Sequence, residues 1–270
     1  MTLPTITVEK PWGRDLLPAP FTSPAGQRIG EIWFQPPSDL PELLVKYIFT
    51  SEKLSVQVHP DDDQAEAAGL GRQGKEECWL VIDAQPGAQL GVGFDAPLDA
   101  EAMRAAALDG SIEHLLTWHD VAPGDFFYIP AGTVHAIGAG VGIVEIQQNS
   151  DITYRLFDYG RPRELHLDAG IAVAHGTRHD PALRRRVPRN GSAALVDGPH
   201  FRLDLMEGQP AAGIADRHKG KLLVIPLAGM VSVAGASVQP GQCALAQRLE
   251  DVDVREGARL LIASPVQSGA

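Results

Sequence analysis

The chain has 270 residues, 44% of them hydrophobic, which is enough for a sizeable buried core in one large domain or in two smaller ones. Its 23 Lys and Arg against 34 Asp and Glu give a net charge of −11, which opposes non-specific attraction to nucleic acid or to an anionic membrane surface. A small anionic substrate would therefore need a local basic pocket.

The N-terminus and the cysteines bear on the compartment. The first residues, MTLPTITVEKPW, contain no basic segment followed by an apolar one, and no later stretch approaches the ~18 apolar residues that span a bilayer. Cys78 and Cys243 lie far apart in apolar runs, so we predict two buried thiols and no disulfide framework. The expectation is a cytoplasmic protein.

Short apolar runs separated by Gly and Pro follow one another along the chain, for example at residues 45–49, 54–58 and 79–82. This pattern is typical of short strands in a β-sandwich or barrel. The exception is the segment 98–118, where Asp99 is the expected N-cap and apolar residues recur at helical spacing. Gly110 divides that segment into two short predicted helices.

The composition changes after Arg163. Residues 165–174 favour a short helix, and residues 175–198 are rich in Arg, Pro, Gly and Asp. This stretch includes Arg184, Arg185 and Arg186, which we interpret as the solvated face of a linker. A second set of strand-like runs follows. We therefore predict two domains, residues 1–180 and 181–270, with the boundary near residues 175–195.

Four side chains form the most informative pattern: Gln57, His59, Glu77 and His135. Residues i and i+2 of a strand face the same side, so the first two point together, and Glu77 can reach the same point from a neighbouring strand. His135 ends the segment GDFFYIPAGTVH, in which Gly132 should make a tight turn that directs it inward. The alternative is that His59 and His135 are unrelated, and that each is hydrogen-bonded in the core or on the surface.

This donor set has a definite chemistry. One amide oxygen, two imidazoles and one carboxylate suit zinc, and also Mn, Fe, Co or Ni. A divalent ion held by them keeps positive charge, so it is a Lewis acid that can bind substrate oxygens in an open coordination position.

The same segments carry a resemblance to a known family. The spacing of Gly, Pro, Gly and His in residues 124–135 resembles the second motif of the cupin superfamily, and QVH with Glu77 resembles the first, with Gln57 where many cupins have His. Together with VQVHPDD, GKEECW, EIQQNSDITYR and FDYGR, these motifs closely resemble the short bacterial form of the type I phosphomannose isomerases. The likeness covers about residues 11–168.

The resemblance implies a mainly β fold, a cupin (double-stranded β-helix, jelly-roll) barrel with a short helical insertion at about residues 98–118. A smaller, degenerate cupin-like β domain without a metal site would follow. The implied activity is the interconversion of mannose 6-phosphate and fructose 6-phosphate through an enediolate. One zinc ion per chain would be held by the four residues at positions 57, 59, 77 and 135. The partner is a small sugar phosphate, and the chain could be a monomer or a homodimer.

Isomerisation of an aldose to a ketose requires a base, an electrophile and a group that holds an oxyanion or phosphate. Lys75 lies two residues before Glu77 on the same strand face, which matches the K-x-E pattern of the family and would make it a catalytic and substrate-binding residue. The nearby charge of a bound metal ion should lower its pKa and favour proton shuttling, provided that the pocket also desolvates it. A surface lysine paired with Glu76 is the alternative.

The segment EIQQNSDITYR supplies three more candidate catalytic residues. If its strand is regular, Glu145 and Asp151 share a face. The resemblance implies that Asp151 and Arg155 flank the substrate, with Arg155 offering its fork of donors to an oxyanion or phosphate. Glu145 or Asp151 could be the base or could assist ring opening, and the sequence does not rank them.

Two other functions compete with isomerisation: another metal cupin enzyme of the dioxygenase type, and a sugar-binding or regulatory cupin without catalysis. Gln57 and Lys75 argue against the first, which would usually prefer iron and consume oxygen. Of the nine histidines, those outside the metal set, His166 among them, have no second donor at ligand spacing and are not predicted to bind metal.

Overall fold

The structure is a computed structural model that describes residues 1–210 and 213–266. The strands of the first part of the chain are β1 (Thr5–Arg14), β2 (Ile29–Phe34), β3 (Leu43–Phe49), β4 (Val56–Val58), β5 (Glu77–Ala84), β6 (Gln89–Phe94), β7 (Leu116–Asp120), β8 (Asp125–Ile129), β9 (His135–Ile137), β10 (Val141–Gln148), β11 (Tyr154–Phe157) and β12 (Arg184–Arg186). Those of the second part are β13 (Ala193–Asp197), β14 (Phe201–Glu207), β15 (Leu222–Ala228), β16 (Val231–Val233), β17 (Ala236–Val238), β18 (Ala244–Ala246), β19 (Val252–Val254) and β20 (Arg259–Pro265). The helices are α1 (Asp62–Ala67), α2 (Ala100–Asp109), α3 (Ile112–Leu115), α4 (Leu167–Val173) and α5 (Ile214–Arg217).

The strands form four antiparallel sheets. A seven-stranded sheet, here the large sheet, has the order β1-β2-β3-β10-β5-β8-β12, and a five-stranded facing sheet has the order β11-β4-β9-β6-β7. The second part of the chain forms a five-stranded C-terminal sheet, β13-β14-β20-β15-β18, and a three-stranded outer sheet, β17-β16-β19. This mainly β architecture of antiparallel sheets is the class predicted for a cupin-type fold.

Alternation of side chains along the large sheet explains how the layers stack. On β5, Trp79 and Val81 join a hydrophobic cluster with Leu90 and Val92 of the facing sheet. Cys78 and its neighbours on the opposite face join a second cluster with side chains of the C-terminal sheet. The large sheet is therefore buried on both faces, and its polar side chains on the facing side are enclosed between two sheets.

The helical segment follows its sequence signals. The Asp99 side chain caps α2 by accepting the backbone N–H of Ala102 at 2.7 Å, and α2 ends at Gly110, which has a φ of 83°. The division into two short helices is confirmed, but helix ends at Leu115, earlier than predicted, because β7 begins at residue 116 and pairs with β6. Among the described residues, no helix is long and apolar enough to cross a membrane.

Of the solvated linker predicted at Arg184, Arg185 and Arg186, the exposure is confirmed at the last two residues, but the linker is wrong. These residues form β12, which pairs with β8 and extends the large sheet at its edge. The guanidinium of Arg186 donates to Asp125 on β8 at 3.1 Å, so an ion pair supports this strand. The local sequence, rich in Arg and Pro, did not indicate a strand here. The large sheet thus takes a strand from beyond residue 180, and the division into two domains at that residue stays a prediction.

Candidate metal centre and the adjoining cavity

Three buried side chains converge between the large sheet and the facing sheet. His59, Glu77 and His135 each present a ligand atom, and these atoms lie within 4.8 Å of one another. Glu77 Oε2 is 3.7 Å from His59 Nε2, and Glu77 Oε1 is 3.4 Å from His135 Nε2. This convergence is the one that strand alternation predicted.

The local fold explains the convergence. His135 begins β9 and lies opposite Gln57 of β4, whereas Glu77 begins β5 on the other sheet. Gly132 makes the predicted turn with a φ of 80°, and a Cβ at this position would approach the ring of His175 to 2.6 Å. Only glycine fits this turn without strain, so it fixes the approach of the chain to His135.

Both histidines are held in the tautomer that a metal ligand requires. His59 Nδ1 lies 2.7 Å from the carbonyl of Ile152, and His135 Nδ1 lies 2.9 Å from that of Thr133, so each Nδ1 carries the proton and donates it. Burial, reinforced by the charge of Lys75, lowers the pKa of His59 well below its usual value and that of His135 to about 4. At neutral pH both Nε2 atoms are therefore unprotonated acceptors aimed at Glu77.

The remaining donors also fit a metal ion. Gln57 lies with its amide Nε2 3.2 Å from His135 Nε2, and its Oε1 accepts from Ser55 at 3.2 Å. A half-turn of this amide would direct Oε1 to the point shared by the histidines. Within the described residues, Glu77 Oε1 is buried without a hydrogen-bond partner. This is energetically unfavourable, and a bound cation would satisfy the oxygen.

Lys75 lies inside the cluster, so the alternative of a surface lysine paired with Glu76 is wrong. Its ammonium hydrogen-bonds to Glu77 and donates to His59 Nε2 at 3.1 Å. Burial by itself lowers the pKa of Lys75, but the carboxylates of Glu77 and Glu145 outweigh it, and the pKa is raised. The expected lowering concerns the site with its metal ion bound, and it stays a prediction.

Glu145 is deeply buried on β10, where it pairs in register with Trp79. Its carboxylate accepts from Trp79 Nε1 at 3.0 Å and lies 3.8 Å from the ammonium of Lys46. Burial, followed by the charge of Glu77, raises the pKa of Glu145. A carboxyl group in this position can hold a proton more readily than an exposed one.

Asp151 and Arg155 lie further from the cluster. Strand β10 ends at Gln148, so the regular alternation that would place Asp151 beside Glu145 does not hold, and Asp151 is exposed. Arg155 lies opposite Gln57 in the β11–β4 pair, so the two side chains share a sheet face. Burial, followed by the charge of Arg163, lowers the pKa of Arg155.

A cavity of about 400 Å³ connects these groups. It is lined by the candidate residues Gln57, Lys75, Glu145, Asp151 and Arg155, and by Lys10, Trp12, Glu31, Trp33, Lys46, Ser55, Thr153, Arg163 and His166, among others. A second cleft of about 820 Å³ shares Trp33, Asp151, Thr153 and His166 with it.

Four of the five cations of the cavity are matched by a carboxylate. The pairs are Lys10 with Glu31, Lys46 with Glu145, Lys75 with Glu77, and Arg163 with Asp158. Arg155 has no ion pair with any described residue. Among the described residues, Arg155 is therefore the cavity cation whose charge is available to an anionic substrate.

Sequence reasoning missed Lys10, Lys46, Arg163 and His166 as cavity residues. Lys46 left a signal, because a lysine in the middle of the strand LLVKYIF is out of place in a sheet that is buried on both faces. Its ammonium lies 4.1 Å from the ring centre of Trp33, a cation–π contact. The other three gave no comparable pattern.

Similarity to known proteins agrees with this arrangement. The chain is 47% identical over 137 residues to the mannose-6-phosphate isomerase ManA of Bacillus subtilis, which covers 48% of this chain and 43% of that protein. It is 35% identical over 234 residues to the mannose-6-phosphate isomerase of Streptococcus mutans, covering 84% of this chain and 69% of the relative. The match thus spans less than half the length of the first relative and about two thirds of the second.

The fold agrees as well. The crystal structure of the mannose 6-phosphate isomerase from Bacillus subtilis superposes with a TM-score of 0.79 at 24% identity, covering 97% of this chain and 98% of that one. A scan against models of known protein families finds no match. Because the Streptococcus mutans relative is 35% identical and aligns over most of both chains, this protein belongs to the mannose-6-phosphate isomerase family.

Proposed function

We propose that this protein is a zinc-dependent aldose–ketose isomerase that interconverts mannose 6-phosphate and fructose 6-phosphate. The observation that carries the proposal is the buried set His59, Glu77 and His135 beside a cavity lined by five cations. Both histidines are in the tautomer whose Nε2 can bind a metal ion, and one carboxylate oxygen of Glu77 has no hydrogen-bond partner among the described residues. The relatives named above act, by their names, on mannose 6-phosphate, and this chain shares their family.

In this proposal Gln57, His59, Glu77 and His135 hold one zinc ion per chain. A bound zinc ion supplies Lewis acidity toward a substrate oxygen. The donors suit it because the histidines are neutral and the single carboxylate leaves the ion a net positive charge. The same donors accept other divalent ions, so metal analysis belongs to the test.

Lys75 is the proposed proton carrier. Its ammonium hydrogen-bonds to two of the proposed ligands, Glu77 and His59, and lines the cavity, so it can reach a substrate oxygen at that end. Its ammonium is the proposed acid, which donates to that oxygen and stabilises the developing enediolate. Glu145, with its raised pKa, is the proposed partner that takes up and returns the proton between the two carbons.

Arg155 is the proposed holder of the phosphate. It shares a sheet face with Gln57, lines the cavity and is the one cavity cation without a carboxylate partner among the described residues. A guanidinium binds phosphoryl oxygens through two parallel hydrogen bonds. Asp151, exposed where the cavity meets the wider cleft, is the proposed contact for sugar hydroxyls at the entrance.

A coupled assay tests the proposal. Purified protein loaded with zinc should convert mannose 6-phosphate to fructose 6-phosphate, lose this activity with a chelator and regain it when zinc is restored. Metal analysis of protein purified without added metal, with an oxygen electrode as control, tests the dioxygenase alternative. The proposal fails if no hexose phosphate is turned over with zinc, or if the protein carries iron and consumes oxygen.

A further inference from the structure

Outside the proposed metal set, one histidine lines the cavity of about 400 Å³ in the part of the chain that the structure describes. His166 precedes α4, is partly buried, and also lines the wider cleft that joins this cavity. It packs near Tyr154, with ring centres 6.1 Å apart. Its position between the two spaces places a polar ring on the path that a substrate takes to the metal centre.

The backbone of Arg155 sets the tautomer of this ring. Strand β11 is the edge of the facing sheet, so the N–H of Arg155 has no strand partner on that side. It donates instead to His166 Nδ1 at 3.3 Å, while the N–H of His166 donates to the carbonyl of Arg155 at 2.8 Å. Because Nδ1 accepts, the proton of the neutral ring lies on Nε2.

That Nε2–H is a donor without a hydrogen-bond partner among the described residues. The two contacts to the Arg155 backbone hold His166 beside this residue, and both residues line the same cavity. Nearby Arg163 is ion-paired, with its Nε and Nη2 donating to the two oxygens of Asp158 at 2.5 Å and 2.6 Å. Among the described residues, Arg155 and His166 thus line the cavity with N–H donors that have no carboxylate partner.

We infer that His166 is a substrate-binding residue whose Nε2–H donates to a phosphoryl oxygen of the sugar phosphate held by Arg155. This inference rests on the proposed function for the identity of the substrate. The competing explanation is that His166 only caps the edge of β11. The two explanations use different nitrogens of the same ring, so they can be separated by substitution.

Two variants form a matched pair. In His166→Asn the side-chain oxygen can replace Nδ1 as the acceptor for Arg155, but the Nε2–H donor is lost. In His166→Gln the amide nitrogen can replace Nε2–H as the donor, but the cap is lost. A hydrogen bond to a charged group corresponds to a factor of ~10–100 in affinity.

The experiment uses the full zinc-loaded chain. We expect His166→Asn to raise the KM for mannose 6-phosphate and the Kd for sorbitol 6-phosphate, measured by calorimetry, by ~10–100-fold with little change in kcat, and to raise the Ki of inorganic phosphate. His166→Gln should stay within a few-fold of wild type in all three. Thermal unfolding of both variants shows whether the fold is retained.

Three results would overturn the inference: both variants bind like wild type, the Gln variant binds more weakly than the Asn variant, or the Asn variant loses sorbitol 6-phosphate but not inorganic phosphate. The last would place the donor on the sugar and not on the phosphate. If the wild-type protein binds sorbitol 6-phosphate but does not turn over mannose 6-phosphate, only the proposed function is contradicted. The affinities of the two variants for sorbitol 6-phosphate would still test the role of His166.

Discussion

Two buried clusters of histidine and carboxylate lie in the part of the chain that the structure describes, and they differ in how their hydrogen bonds are used. In the C-terminal sheet, Asp204 accepts from His218 Nε2 at 2.6 Å and from Arg217 Nε at 3.0 Å, and His218 Nδ1 lies 2.8 Å from Ser264 Oγ. Donors and acceptors match, and no side-chain atom of these four residues is buried without a partner.

The cluster between the large sheet and the facing sheet is arranged in the opposite way. Backbone carbonyls take the Nδ1–H of His59 and of His135, so two Nε2 atoms and two carboxylate oxygens of Glu77 face one another with Lys75 as the main donor. Acceptors exceed donors. The comparison shows that residue types alone do not distinguish a structural cluster from a candidate metal centre, whereas the balance of donors and acceptors does.

The largest expected effect comes from Glu77→Gln, which removes the one negative ligand. We expect zinc affinity to fall by more than ~100-fold, the upper end of what losing a supporting group outside the ligand set costs, and turnover to fall with it. Zinc content is measured by mass spectrometry after dialysis. Lys75→Gln is the matched control: it should keep the zinc but lose ~10²–10⁴-fold in kcat. Full zinc occupancy in Glu77→Gln would contradict the assignment of the ligands.

A smaller effect is expected from Asp204→Asn in the balanced cluster. The amide is nearly isosteric but cannot accept from both His218 and Arg217 as the carboxylate does, so we expect a loss of ~1–3 kcal/mol in the free energy of unfolding. Urea denaturation measures this loss. Zinc content and KM should stay at wild-type values. A loss of zinc in this variant would show that the two clusters are coupled.

The smallest effect concerns the two cysteines, which both lie in the hydrophobic cluster between the large sheet and the C-terminal sheet. Burial raises the pKa of Cys78 and of Cys243, and because the thiolate is the reactive form, neither should react with iodoacetamide at pH 8 in the native protein. After chelation we expect Cys78 to be labelled a few-fold faster, because it follows Glu77 on β5, while Cys243 stays protected. Equal acceleration at both sites, read by peptide mass spectrometry, would mean that metal removal loosens the whole molecule.

Strand alternation and motif spacing predicted much of this arrangement from the sequence. They gave the mainly β class, the two short helices and the convergence of His59, Glu77 and His135, because each depends on residues whose geometry is local or follows from strand parity. The two buried thiols at Cys78 and Cys243 are also confirmed.

What was missed depends on contacts between distant segments. The contribution of Glu145 to the raised pKa of Lys75, which is second to that of Glu77, comes from a neighbouring strand seventy residues later in the chain. His166 enters the cavity only because the edge of β11 needs an acceptor, and β12 is a strand only because β8 offers it a partner. None of these partners can be read from composition near the residue itself.

Strand β12 also has a consequence for how the protein behaves at high concentration. An exposed sheet edge is a template on which another chain can add a strand, and such edges lead to aggregation. The large sheet ends at β12 with Arg184, Arg185 and Arg186 in succession. Two copies that met along this edge would bring six guanidinium groups together, and we expect their repulsion to oppose the addition of another strand.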